Sequence, residues 1–103
     1  MARKKLSGFE EQLKNEMLKN IGEFLKKARE KSGQSQGEVA REAGLASAQF
    51  ISNVERGLSL PSPQLLKVMV KLYRMNVNDL INFLANEKRD YAKALYTKLL
   101  KGR

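Results

Sequence analysis

Two short helical stretches, each closed by a glycine and separated by only a few residues, constrain this chain more than any other feature. Ser35 and Glu38 have the spacing of a capping box. In that device a hydroxyl and a carboxylate each satisfy a backbone N–H at a helix start. Gly44 follows Ala43 and suits the left-handed position that ends a helix. The spacing then predicts a second short helix from about Ser47 to Arg56, stopped by Gly57. Apolar residues around these marks recur at three and four, not at two, so strands are not expected.

The flanks carry the same punctuation. Ser7 and Glu10 have capping-box spacing, which predicts a helix beginning near Gly8 and ending at Ser32-Gly33. Phe9, Leu13, Met17, Ile21, Phe24 or Leu25, and Ala28 give it an apolar stripe. It reads as one long helix or as two, with Asn20-Ile21-Gly22 as the place for a break, since Gly costs about 1 kcal/mol inside a helix. Ser62-Pro63 places a capping hydroxyl before a proline at the first helical position, opening a helix that turns Leu65, Leu66, Met69 and Leu72 inward. Asn76 and Asp79 cap a fifth helix with Leu80, Ile81 and Leu84, and a basic sixth segment runs from Lys88 to Lys101. Residues 1–6 read as a disordered basic arm.

Composition narrows the chemistry. The 103 residues suffice for one domain, and Lys plus Arg total 20 against 11 acids, a net charge of +9. Such a balance favours a polyanionic partner. There is no cysteine and no histidine. That removes thiolate sites and the commonest general base and metal ligand. The acids form no catalytic pair, so neither an enzyme nor a bound metal or cofactor is expected. The basic start is followed by Glu10, Glu11 and Lys14 and not by an apolar run, so no secretory signal is expected. Nor does any run approach the length of a membrane span. A cytoplasmic, nucleoid-associated protein is the expectation.

The two short helices and their tight turn have helix-turn-helix geometry. The chain here resembles the Cro/C1-type, or XRE-type, helix-turn-helix family. The resemblance is carried by Gln34-Ser-Gln-Gly-Glu-Val-Ala-Arg-Glu-Ala-Gly44, by Phe50-Ile-Ser-Asn-Val-Glu-Arg-Gly57 and by Leu60-Pro-Ser-Pro63, within Ile21 to Leu84. It implies an all-α fold: a lambda-repressor-like five-helix DNA-binding domain over residues 21–85. Helical N- and C-terminal extensions would occupy residues 1–20 and 86–103. From Gly44 to Gly57 this chain is one residue longer than the commonest family pattern, and the extra residue is assigned to the turn at Leu45-Ala46. Ile51, Val54 and Glu55 then keep the family register.

Site residues follow from that register. Ala48, Gln49, Ser52 and Asn53 are expected on the exposed side of the helix, opposite Ile51 and Val54. The resemblance makes Gln49 and Asn53 the base readers. Gln or Asn can hold adenine through N6 and N7, worth about 1–3 kcal/mol of discrimination. Ala48 would meet a thymine methyl. Phe50 could pack inward or stand at the DNA side. The resemblance assigns a phosphate contact to Gln36 and a buried structural ion pair to Arg29 and Glu55. Ser47 would cap the helix and reach a phosphate. Arg56 and Ser59 are further phosphate candidates, with Lys26, Lys27 and Lys67 behind them. The Arg3-Lys4-Lys5 arm could wrap the duplex.

So small a reading face specifies few base pairs, and two copies at half-sites about 34 Å apart would double the contacts. A homodimer is therefore expected. Phe9 to Leu18 and Tyr91 to Leu100 are the available apolar stripes; each could fold back on its own domain to complete the core, the N-terminal helix could exchange between subunits, and Tyr91, Leu95 and Leu99 are the preferred dimer surface. The function expected is a sequence-specific regulator of transcription, a repressor, bound to double-stranded DNA. A protein-interaction adaptor and an antitoxin-type autoregulator are the alternatives that use the same domain.

Overall fold

A computed structural model describes residues 2–102, with side chains described from Gly8 onward. It contains five helices and, among the described residues, no strand. They are α1 (Ala2–Ser32), α2 (Gln36–Glu42), α3 (Gln49–Glu55), α4 (Pro63–Tyr73) and α5 (Val77–Lys101).

The caps sit where the sequence places them in the centre of the chain. Ser35 Oγ accepts from the Glu38 N–H while Glu38 Oε1 accepts from the Ser35 N–H. Ser62 Oγ accepts from the Leu65 N–H, with Pro63 first in the helix. Asn76 Oδ1 accepts from the Asp79 N–H. Gly33, Gly44 and Gly57 all take positive φ.

Ile21, Leu25, Val39, Ile51, Val54 and Met69 are the fully buried centre, drawn from α1, α2, α3 and α4. Leu65, Tyr73 and Leu80 close the cluster. Phe50 packs against it as a partly buried side chain, so the inward alternative holds.

Several expectations about the flanks are settled differently. The helix does not begin near Gly8; α1 runs from Ala2, so Ser7 is not a cap and the backbone of Ala2–Leu6 is helical. The side chains of Arg3, Lys4 and Lys5 lie outside the described residues, as does Met1. Of the two readings of this stretch, one long helix holds: α1 is unbroken at Asn20-Ile21-Gly22, where Gly22 serves close packing. A Cβ built there would meet the Val54 carbonyl oxygen and lie 2.7 Å from that of Glu55. α1 therefore approaches the end of α3 as nearly as two backbones can.

The fifth and sixth helices are one. No Gly, Pro or cap interrupts Val77–Lys101, and the inward stripe of Leu80, Phe83, Leu84, Tyr91 and Leu95 continues through it. The expected divisions at residues 20/21 and 85/86 thus fall inside continuous helices. Ile81 is exposed, since Leu80 takes the core position beside it.

α1 and α5 pack on each other as an antiparallel pair. Phe24 stacks on Phe83 with centroids 4.1 Å apart. Asn20 donates to Glu87 Oε1 at 3.1 Å, Tyr91 donates to Glu10 Oε2 at 3.3 Å, and the Lys98 ammonium sits 4.9 Å from the Phe9 ring. For most of the preferred dimer surface the fold-back alternative therefore holds. Leu95 is buried within its own chain and Tyr91 is half-buried against α1, leaving only Leu99 of the three exposed.

Candidate nucleic-acid interface

α2 and α3 are joined by six residues, Ala43–Ala48, which include the Leu45-Ala46 pair. α3 is shorter than the sequence suggests, starting at Gln49 and not near Ser47. Ser47 does not cap it. The N-cap position is Ala48, in helical conformation with no side-chain bond, and Ser47 Oγ accepts from the Gln49 N–H at 3.2 Å. That short-range hydroxyl contact stabilises the turn ahead of the helix. Ala48 is also not on the open face; it is half-buried against the core.

α3 presents two faces. Inward, Ile51 and Val54 are fully buried and Glu55 is the one buried charged residue among those described. Arg29 forks onto Glu55, with Nε to Oε2 at 2.6 Å and Nη2 to Oε1 at 3.1 Å. Arg29 Nη1 also donates to the Gln34 carbonyl at 2.8 Å. The expected ion pair is therefore present and nearly dry, its side chains 12% and 2% exposed. The bonded carboxylate holds the Arg29 guanidinium above its ordinary range, against the burial that opposes its charge.

Gln36 joins this junction. Its Nε2 donates to Glu55 Oε1 at 2.9 Å, so the amide expected at a phosphate is tied inward by one of its two N–H groups. Tyr73 lies close by. Its hydroxyl is buried without a hydrogen-bond partner. Burial first, and then the negative charge of Glu55, push its ionisation far above the usual tyrosine range.

Outward, the structure brings Gln49, Asn53 and Arg56 together. Asn53 Oδ1 accepts from Gln49 Nε2 and from Arg56 Nη2, both at 2.9 Å. Their spacing of four and three residues aligns them along one face of the helix. Gln49 and Arg56 are exposed, and Asn53 and Ser52 half-exposed. Lys26, Lys27 and Lys67 are exposed, and Ser59 is half-buried. Among the described residues none of these four makes a side-chain hydrogen bond or ion pair. The sequence reading missed both the Gln49–Asn53–Arg56 chain and the Gln36 tether. The first was available as i, i+4 and i, i+3 spacing between amides and a guanidinium; the second, nineteen residues apart, was not.

The described residues contain no group of three or more potential metal ligands. None of their helices is long and apolar enough to cross a membrane.

Two short helices at a tight turn, the second stood on a buried ion pair, define a helix-turn-helix protein. The family model described as Helix-turn-helix domain matches residues 20–81, more than half of the chain, and the chain belongs to that family. No curated protein and no solved structure matches it.

Proposed function

We propose that this chain is a sequence-specific, double-stranded-DNA-binding regulator of transcription, a repressor acting as a dimer, with α3 in the major groove. The observation that carries this reading is the two-sidedness of α3. One side is locked to α1 and α2 by Ile51, Val54 and Glu55, while the other offers Gln49, Ser52 and Asn53 to whatever approaches. A groove about 12 Å wide admits such a helix. Gln49 and Asn53 would read bases. Arg56, Ser47, Ser59, Lys26, Lys27 and the free N–H of Gln36 would meet phosphates. Occlusion of a promoter needs no chemistry, so the protein would act by binding alone, in the cytoplasm and on the nucleoid.

The net charge of +9 supports a polyanionic partner. For the dimer, the support is the exposure of Leu99 with Tyr96 and Leu100 near the end of α5. Titration onto random duplex DNA at several salt concentrations tests the reading. Log K is expected to fall with log salt at a slope of several units. A flat response would remove DNA as the partner. Sedimentation of Leu99→Lys beside the wild type tests the dimer, which is expected to dissociate in the variant.

A further inference from the structure

We propose that Arg56 is a positioning residue that fixes the hydrogen-bond polarity of the reading face, making Asn53 a donor-only probe for guanine. The inference rests on the DNA-binding reading above and deepens it. Arginine has no acceptor atom. With Arg56 Nη2 2.9 Å from the Asn53 amide, the atom turned toward it must be oxygen. Gln49 approaches that same oxygen at 2.9 Å, so it must present its own NH2 group. One guanidinium thus orients two amides in series.

The consequence is a defined pattern on the outer face. A carbonyl oxygen has two lone pairs, and those of Asn53 are both engaged. The bidentate adenine contact expected from the residue type needs a free oxygen to accept from N6–H, and Asn53 has none to give. What it retains is an NH2 group with two donors. In the major groove guanine shows two acceptors, N7 and O6. Adenine sets a donor beside its N7, and cytosine shows only a donor. Guanine is therefore the base that a donor-only amide fits best. Gln49 keeps its Oε1 free and can still accept from adenine N6 or cytosine N4.

The experiment is selection from a random duplex pool with the wild type, Arg56→Lys, Arg56→Met, Asn53→Ala and Asn53→Asp. Thermal midpoints of all five, expected to be unchanged, establish that each is folded. The readout is the base ratio at the position where Asn53→Ala erases the preference. Loss of charge in Arg56→Met weakens every duplex alike and leaves that ratio untouched unless Arg56 orients the amide. Wild type is expected to favour guanine there on the order of tenfold over adenine. Lysine, also without an acceptor, is expected to preserve the preference. Methionine is expected to reduce it to about twofold or less, because nothing then fixes the amide. Asn53→Asp is expected to move the choice to cytosine, whose N4 donates. Adenine in place of guanine in the wild type, or an undiminished guanine preference in Arg56→Met, overturns the proposal and leaves DNA recognition standing. A wild type that binds all sequences equally overturns both.

Discussion

α3 carries two hydrogen-bond networks of nearly the same lengths and opposite consequence. On the inner side both Glu55 oxygens are held by Arg29 and Gln36 at 2.6–3.1 Å. On the outer side Asn53 Oδ1 is held by Gln49 and Arg56 at 2.9 Å. The inner bonds join residues 26 and 19 positions apart, and so fix three helices to one another. The outer bonds join neighbours on one helix. Water decides the rest. An inner group that loses its partner is stranded in low dielectric, whereas an outer one is rehydrated at once. Bond length alone therefore says little about what a contact contributes.

Removing the inner anchor should have the largest effect. Glu55→Ala leaves Arg29, whose side chain is only 12% exposed in the intact fold, without its carboxylate. Breaking one partner of a buried pair costs about 3–5 kcal/mol. A domain of this size is stable by only about 5–15 kcal/mol, so urea unfolding should show a large fall in midpoint with an unchanged slope. A loss under about 1 kcal/mol would mean that the pair is solvated like a surface contact.

The inner network also depends on the close approach of α1. A Cβ at residue 22 would press on the backbone oxygens of Val54 and Glu55, which cannot swing aside as side chains do. Gly22→Ala should therefore cost about 1–3 kcal/mol by overpacking, although alanine is the better helix former. Gain of stability would show that α1 can shift without disturbing Glu55.

Tyr73 is the imperfect part of the inner face, with its hydroxyl buried and unpartnered. Tyr73→Phe removes that group and should raise stability by about 1 kcal/mol, read as a rise of several degrees in thermal midpoint. The variant should also differ in alkali. The folded chain holds the Tyr73 proton well above pH 10, while the unfolded chain releases it near its ordinary value. Stability from this proton is complete below the unfolded value and is lost as pH rises toward the folded one. The alkaline fall in stability should accordingly be shallower in Tyr73→Phe. Tyr91, also raised by partial burial and by Glu10, supplies part of what remains.

These two faces were not equally legible in the sequence. The caps at Ser35, Ser62 and Asn76 and the stops at Gly33, Gly44 and Gly57 are local devices, and local spacing announces them. The register of Ile51, Val54 and Glu55 follows from a period of three and four. Gly22 left one helix or two open because its intrinsic helix cost is visible in sequence while the backbone it approaches is not. The same limit left open whether the α1 and α5 stripes fold back on their own chain or meet a second copy. A stripe such as Tyr91, Leu95 and Leu99 says that something covers it, and the covering surface turned out to be the chain's own first helix. Ser47 and Ala48 failed differently. A serine near a helix start is a plausible cap, yet here the turn takes its hydroxyl and the helix begins two residues later.

The smallest effect on stability is expected at the outer face, where the comparison is sharpest. Asn53→Ala removes the acceptor shared by Gln49 and Arg56, deleting two hydrogen bonds as short as those at Glu55. Both freed donors meet solvent, and alanine is the better helix former at that position. Unfolding free energy should therefore stay within about 0.5 kcal/mol of wild type. Base selection, by contrast, should relax at one position of each half-site. A destabilisation approaching that of Glu55→Ala would mean that the outer chain supports the fold and is not reserved for a ligand. Unchanged stability with unchanged selection would leave Asn53 outside the reading surface, and α3 would then have to be read through Gln49 and Ser52.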